Sequence, residues 1–488
     1  MRISFVISSI YLSEPLGALL LISLCRKQGH QVRLIDLSRK DFVSDVKAFE
    51  PDVVAYSTMS ADLHHFEEMD LWLREYIQAS GKKIFRLMGG PHPTYSPQVF
   101  DQFQLDAICQ GDGDRAFPEL LQRLESGSSL EGIKNIGLSS AGAVEKELFA
   151  ELDELPYIDR DEIYRLSPYY REAGLRSFQA GRGCPYSCSY CFNSAYNQMY
   201  KGCGPLLRRH SVDHLLADIK HTIEHYSPVR FIRFADDVFA FKADDWIKEF
   251  AERYPKEIGI PFYCLLRPNN FTEDMVEYLA KAGCSAVAMS VETGLEDVRR
   301  GVINRYISDK TMKAAFDRAR AYGIATYGNC IIGIPGTTLE QDFQALEFTR
   351  SMKLTAPTFS ICCPYPGTKL WDVSREMGLI DEGEDVSQNY MDLSVLNCYT
   401  DKEKAVQSRI SNLGTLYCTL PAPMASLVRK MMTSNLSVKF CHNLGRTYMQ
   451  YRVATRIFPR IIPRTAKALY YVISDSLKTW KPVKNTGP

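Results

Sequence analysis

Nowhere in the 488 residues does an unbroken apolar run reach the eighteen or so positions a membrane-spanning helix needs. The longest candidate, Leu16 to Cys25, is too short and follows a strand-like segment. No secretory leader is expected either, since "MRISFVISS" alternates like a first β-strand. The expectation is a cytoplasmic protein, in whose reducing setting the 14 cysteines form no disulfide framework. Cys25, Cys109, Cys284 and Cys330 lie in apolar runs and read as small core residues. Net charge is also absent, 58 Lys and Arg balancing 58 Asp and Glu. That zero conceals a segment almost without acids. From residue 421 onward twelve Lys and Arg face the single acid Asp475, a charge of +11 that residues 1–420 offset with −11.

A hydrophobic content of 45% and a charged content of 24% fit a globular protein, long enough for about two to four domains. Residues 1–130 alternate short apolar strands with helical periodicity, which predicts a doubly wound, Rossmann-like parallel sheet. Small residues fall at the strand ends: Ser57, Thr58, Gly89, Gly90, Gly111 and Gly113. Ligands bind at that edge of an open α/β sheet, although a glycine there also serves simply to close a turn. Residues 131–172 are polar and read as a linker. Over 173–375 six strands alternate with helices, predicting a partial (β/α)6 TIM barrel with its chemistry at the C-terminal strand ends. Residues 376–488 read as a helical, basic C-terminal region.

Directly after the first barrel strand comes "GRGCPYSCSYCFN", with Cys184, Cys188 and Cys191 in eight residues. Thiolates are soft ligands suited to iron–sulfur clusters, zinc or copper. A structural zinc site wants four ligands, which Cys203 or His210 would complete, so zinc stays open on spacing alone. Three ligands otherwise leave one metal position for a substrate or cosubstrate.

With Tyr190 just before its last cysteine, this CxxxCxxC loop resembles that of the radical S-adenosylmethionine superfamily. The resemblance implies a 4Fe-4S cluster on Cys184, Cys188 and Cys191, whose free iron chelates S-adenosylmethionine for cleavage to a 5′-deoxyadenosyl radical. "RFADDVF" (Asp236, Asp237) is similar to the segment that holds the methionyl amine, with DD in place of Gly-Gly-Glu. "MSVETG" (Ser290, Glu292) resembles a segment contacting S-adenosylmethionine, and "CIIGIPGTTLEQ" (Gly333, Pro335) one near the adenine. Tyr190 joins this set by the same resemblance. "PLGALLLISLCRKQGHQVRLID", "VVAYSTMS", "MGGPHPT" and "GDGD" resemble the domain of the superfamily's cobalamin-binding class, which makes Ser57, Thr58, Gly89, Gly90, Gly111 and Gly113 candidate cobalamin contacts. The Asp-x-His-x-x-Gly signature that supplies a cobalt ligand is missing, and many members of the class lack it. His64 and His65 read as exposed first-turn helix residues.

The resemblance implies a C-methyltransferase acting on an unactivated carbon of a small-molecule or lipid-like substrate. Radical cyclisation, coupling or oxidation without methyl transfer uses the same parts, and a zinc-stabilised ligand-binding protein is the reading from another class. No catalytic side chain is singled out. An external flavodoxin- or ferredoxin-type electron donor is implied, and nucleic acid is not expected because no RNA-binding module is visible. The basic tail, with Tyr448, Met449, Tyr451, Val453, Ile457 and Phe458 among its cations, reads as a helical cap on the barrel or as a peripheral membrane contact.

Overall fold

The β-branched runs near the N-terminus form parallel strands because both of their faces find apolar cover. The computed structural model describes residues 1–9, 14–38, 42–381 and 393–459. They divide into two units: residues 1–177 with 218–230, and residues 178–217 with those from 231 onward.

In the first unit, β1 (Arg2–Ile7), β2 (Gln31–Asp36), β3 (Val53–Ser57), β4 (Phe85–Gly89) and β5 (Ala107–Cys109) are joined by β6 (Ile136–Gly137) in the order β2-β1-β3-β4-β5-β6. Ile3 lies opposite Val32 on one side and Val53 on the other, both parallel. Alternation sends Phe5 into a core with Leu19, Leu34 and Phe117, and its neighbour Val6 into a second with Val54, Phe66 and Leu73. The chain runs from β1 outward to β2, then returns to build β3, β4 and β5 on the opposite side. The direction of winding therefore reverses between β1 and β3, and a crevice opens at such a point.

Residues 131–172, polar enough to suggest a linker, are part of this unit. β6 pairs antiparallel with β5, and Ile133, Ile136, Leu152, Leu155, Ile158 and Ile163 are buried in its core. They sit singly among polar neighbours, so composition averaged over the stretch hides them.

The second sheet has the order β14-β13-β12-β11-β10-β7, with β7 at Leu175–Phe178, β10 at Phe231–Phe234, β11 at Phe262–Leu265, β12 at Cys284–Ala288, β13 at Ala325–Ile332 and β14 at Ala356–Ile361. β10 through β14 pair parallel in sequence order, each followed by a helix, which is the partial barrel the alternation predicts. Several of these helices start where a side chain accepts an N–H three residues on: Asp244, Thr272, Ser308, Thr338 and Thr368. Between β7 and β10 a small antiparallel pair joins β8 (Gly181–Arg182) to β9 (Arg208–Arg209).

The helix Asp401–Thr419 packs across β13 and β14, with Ile410, Leu413 and Leu416 in one core with Ile332, Phe359 and Ile361. Helices Ala422–Thr433 and Val438–Arg452 lie on its outer side through Val428, Met432 and Cys441. Gly445 makes this approach possible, because a Cβ there would collide with the Asn412 carbonyl. Gly445→Ala is expected to cost about 1–3 kcal/mol, read from the urea midpoint at unchanged cluster content. After a π-helical turn at Val453–Ile457, Phe458 meets Phe231 and Tyr263 edge-on, with ring centroids 5.4 and 5.3 Å away. The Arg452 guanidinium donates to the Thr355 carbonyl at 3.1 Å. These partners lie at the N-terminal ends of β10, β11 and β14, so Ile457 and Phe458 close the end of the sheet and do not face outward. The rest of the basic tail, from residue 460, lies outside the described residues. Among the described residues no helix is long and apolar enough to cross a membrane.

Candidate active site

The cysteine loop leaves β8 and ends where Cys191 opens the helix Phe192–Met199. Polar grips hold its irregular backbone. The Asn197 amide donates to the Cys184 carbonyl and that of Asn304 to the Ser187 carbonyl, both at 2.7 Å. The Ser189 hydroxyl donates to the Val302 carbonyl at 2.7 Å, and the Ser189 carbonyl accepts from Leu370 N at 2.9 Å. Cys184 and Cys188 are buried and Cys191 partly so. Burial pushes the Cys184 thiol up, and the Cys191 thiol up to about 12.

Two arginines that the sequence did not single out converge on Cys188. Arg267, two residues past β11, donates from Nη1 to the Cys188 sulfur at 3.6 Å and stacks over the Tyr186 ring, 3.5 Å from its centroid. Arg305 lies 3.6 Å from the Glu292 carboxylate and donates to the Ser290 carbonyl at 3.2 Å. Both guanidinium groups are buried, and each Nε lacks a partner. Such cations persist only where negative charge faces them: Glu292 faces Arg305, and the Cys188 sulfur faces Arg267. An arginine at a strand end looks the same in sequence whether it turns outward or inward, so only the fold could reveal them.

Tyr190 donates its hydroxyl to Glu292 at 2.7 Å, tying the cysteine loop to the end of β12. Glu292 takes φ +62°, a left-handed conformation worth about 1 kcal/mol or more of strain in a residue with a Cβ. Its N–H donates to Asn329 and its carbonyl accepts from Ile331, which fixes that conformation against β13.

Asp236 and Asp237 grip the strand before the cysteines. Asp236 accepts the Gly181 N–H at 2.5 Å, while its second oxygen is buried without a partner. Burial pushes this carboxyl up to about 7, against the pull of the backbone N–H groups. Asp237 accepts from Gly183 N at 3.3 Å and from the Asn193 amide at 2.9 Å. Gly333 donates to Asp342 at 2.7 Å, whose other oxygen accepts from Gln407 at 2.8 Å. Burial pushes the Asp342 carboxyl up to about 6. Pro335 is buried in the same turn, and its neighbour Ile334 shares an apolar cluster with Tyr190. Six of the seven residues matched to S-adenosylmethionine contacts thus lie just beyond the C-terminal ends of β10, β12 and β13, and the seventh, Tyr190, reaches them from the cysteine loop through Glu292.

At the corresponding edge of the first unit, the Ser8 hydroxyl donates to Asp62 at 2.9 Å, and the hydroxyl of Thr58, after β3, is buried with no partner. Ser57 pairs with Gly89, and Thr58 N donates to the Gly89 carbonyl at 2.9 Å. Gly90 has φ +97°, and a Cβ on it would lie 2.8 Å from the Thr58 carbonyl. Thr94 bridges the next two turns, donating to the Gly90 carbonyl at 2.8 Å and accepting from Gly111 N at 2.9 Å. Gly113 abuts Leu21 and Cys109. The edge is therefore a cradle of close backbone with two orphan hydroxyls, on Ser9 and Thr58, beside the β1/β3 reversal. His64 and His65 are exposed on their helix.

Comparison with known proteins matches residues 178–348 to the Radical SAM superfamily and residues 4–121 to the B12 binding domain. The uncharacterized methyltransferase PH0819 of Pyrococcus horikoshii is 28% identical over 388 residues, 75% of this chain and 79% of that protein. The hopanoid C-3 methylase of Methylococcus capsulatus is 27% identical over 390 residues, 75% of this chain and 69% of that one. The solved structure of the methyltransferase TsrM from Kitasatospora setae, with cobalamin and a [4Fe-4S] cluster bound, superposes with a TM-score of 0.65 at 14% identity, over 92% of this chain and 98% of that one.

Fold, cysteine loop and matched domains define a radical S-adenosylmethionine enzyme. More narrowly, it joins a radical SAM domain at residues 178–348 to a B12 binding domain at residues 4–121, and the relatives it resembles are named as methyltransferases. A 4Fe-4S cluster, S-adenosylmethionine and cobalamin are its cofactors, which displaces the zinc reading. The donor sets agree: three soft sulfurs in one loop suit a cluster with an open iron, and the glycine cradle with its orphan Thr58 hydroxyl suits a bulky ring.

Proposed function

We propose that this enzyme methylates an unactivated carbon of a small-molecule or lipid-like substrate. The observation that supports it most is the pairing, in one chain, of the three-cysteine loop with a glycine-lined cradle at the β1/β3 reversal. When bound, the cofactors supply a carbon-centred radical and a transferable methyl group. In this reading Cys184, Cys188 and Cys191 hold the cluster. Asp236 offers its free oxygen to the amino group of S-adenosylmethionine, and Asp237 stiffens the loop through Asn193. Glu292 and Ser290 line the same end, Tyr190 keeps Glu292 in place, and the Gly333–Pro335 turn faces the adenine. Ser57, Thr58, Gly89, Gly90, Gly111 and Gly113 receive the corrin. An external flavodoxin- or ferredoxin-type donor provides the electron.

The reading is tested with S-adenosylmethionine carrying a deuterated methyl group and enzyme loaded with iron, sulfide and cobalamin. Methylation requires S-adenosylhomocysteine and 5′-deoxyadenosine together, and three deuteriums in the product. Deoxyadenosine without S-adenosylhomocysteine would move the assignment to cyclisation or coupling.

A further inference from the structure

We propose that the outward faces of helices Ala422–Thr433 and Val438–Arg452 bind the surface of an anionic lipid bilayer. A helix on the outside of a domain normally shows one apolar stripe, turned to the core. The helix Val438–Arg452 has two. Cys441, Gly445 and Tyr448, spaced i, i+4, i+7, face the helix Asp401–Thr419. Phe440, Leu444 and Tyr451, spaced i, i+4, i+11, form a second stripe on the solvent side, where Phe440 is 52% and Tyr451 61% exposed. The preceding helix repeats the pattern, with Ala425, Val428 and Met432 buried while Met424 and Leu427 are 53% and 63% exposed. Leu436, in the connection between them, is exposed too. Single exposed apolar side chains need no explanation, but five on two consecutive helices with a sixth in their connection do.

Charge selects the occupant. Residues 421–459 hold six Lys and Arg and no Asp or Glu. Arg429 is committed to Glu347 at 2.8 Å and Arg452 to the Thr355 carbonyl. On the helical wheel Lys430 flanks the first exposed stripe, and Lys439 and Arg446 flank the second. Apolar residues that enter the acyl boundary, beside cations that stay with the headgroups, are the features of an interfacial helix. An acidic protein would answer the charge but leave six apolar side chains without a matching demand. The inference stands apart from the reaction proposed above, since the surface can bind lipid whatever the chemistry.

The test is co-sedimentation of the full, cofactor-loaded chain with phosphatidylcholine vesicles, with and without phosphatidylglycerol. Binding is expected only with phosphatidylglycerol, and to weaken as sodium chloride rises. Phe440→Ser/Leu444→Ser/Tyr451→Ser and Lys430→Glu/Lys439→Glu/Arg446→Glu should each lower the partition coefficient at least about tenfold, at unchanged melting temperature and unchanged cluster and corrin absorbance. Equal binding to neutral vesicles, or none, would overturn the proposal. So would full binding by the apolar triple variant, which would put the contact in residues 460–488, or a dimer by analytical ultracentrifugation that this variant dissolves, which would make a second copy the occupant.

Discussion

Cys188→Ala is expected to leave a folded chain that retains no cluster and cleaves no S-adenosylmethionine. Cys188 is the middle of the three thiols and the one on which Arg267 converges. Two thiols in one loop cannot hold a four-iron cluster, so iron and sulfide after anaerobic reconstitution should fall to background, and deoxyadenosine formation with them. The fold should survive, because losing one small buried side chain costs about 1 kcal/mol and the loop backbone is gripped by Asn197, Asn304 and Ser189. Near-native circular dichroism with no absorbance around the cluster band is the expected pair of results. Full cleavage activity in the variant would remove Cys188 from the ligand set. Burial also favours the neutral thiols at Cys184 and Cys191, so loading iron must expel protons, and reconstitution should acidify weakly buffered solution.

Asp236→Asn is expected to weaken S-adenosylmethionine binding about 10- to 100-fold, the worth of a hydrogen bond to a charged group. The asparagine oxygen still accepts the Gly181 N–H, but an amide NH2 takes the place of the free carboxylate oxygen, so a donor meets a donor. Burial pushes the wild-type carboxyl up to about 7, and in the proposed role it would bind the amino group only when ionised. Affinity should therefore rise with pH up to about 7 and flatten above, while the variant shows no such step. Stability moves the other way. The folded-state value lies above the ordinary aspartate value of about 3.9, so the folded chain holds the proton more tightly than the unfolded one. The contribution is most favourable below about pH 4 and is lost as pH rises through about 7. Equilibrium dialysis and urea midpoints across pH 5 to 8 check both halves, and an affinity step that persists in the asparagine variant would count against this role for Asp236.

Apart from β6, the strands of both sheets could be read from sequence because their apolar runs are short and β-branched, and the helices because their apolar residues recur at helical spacing. The cysteine loop was legible because three soft ligands in eight residues have few other uses. Arg267 and Arg305 were not, since inward orientation is a property of the tertiary fold and leaves no mark on spacing. Periodicity in the tail marked apolar faces without saying which one the domain would cover. Phe458 fills the end of the sheet, and Phe440 and Leu444 point away from it.

The seating of Phe458 also sets an order of events during synthesis. Phe231 and Tyr263 begin strands laid down roughly two hundred residues before the side chain that caps them, a separation that makes the contact late and costly in chain entropy. Until the ribosome has passed Phe458, the N-terminal end of the second sheet stays open to water and to other nascent chains. A chain stopped after Arg452 should accordingly accumulate in the insoluble fraction, with every residue of the cysteine loop intact.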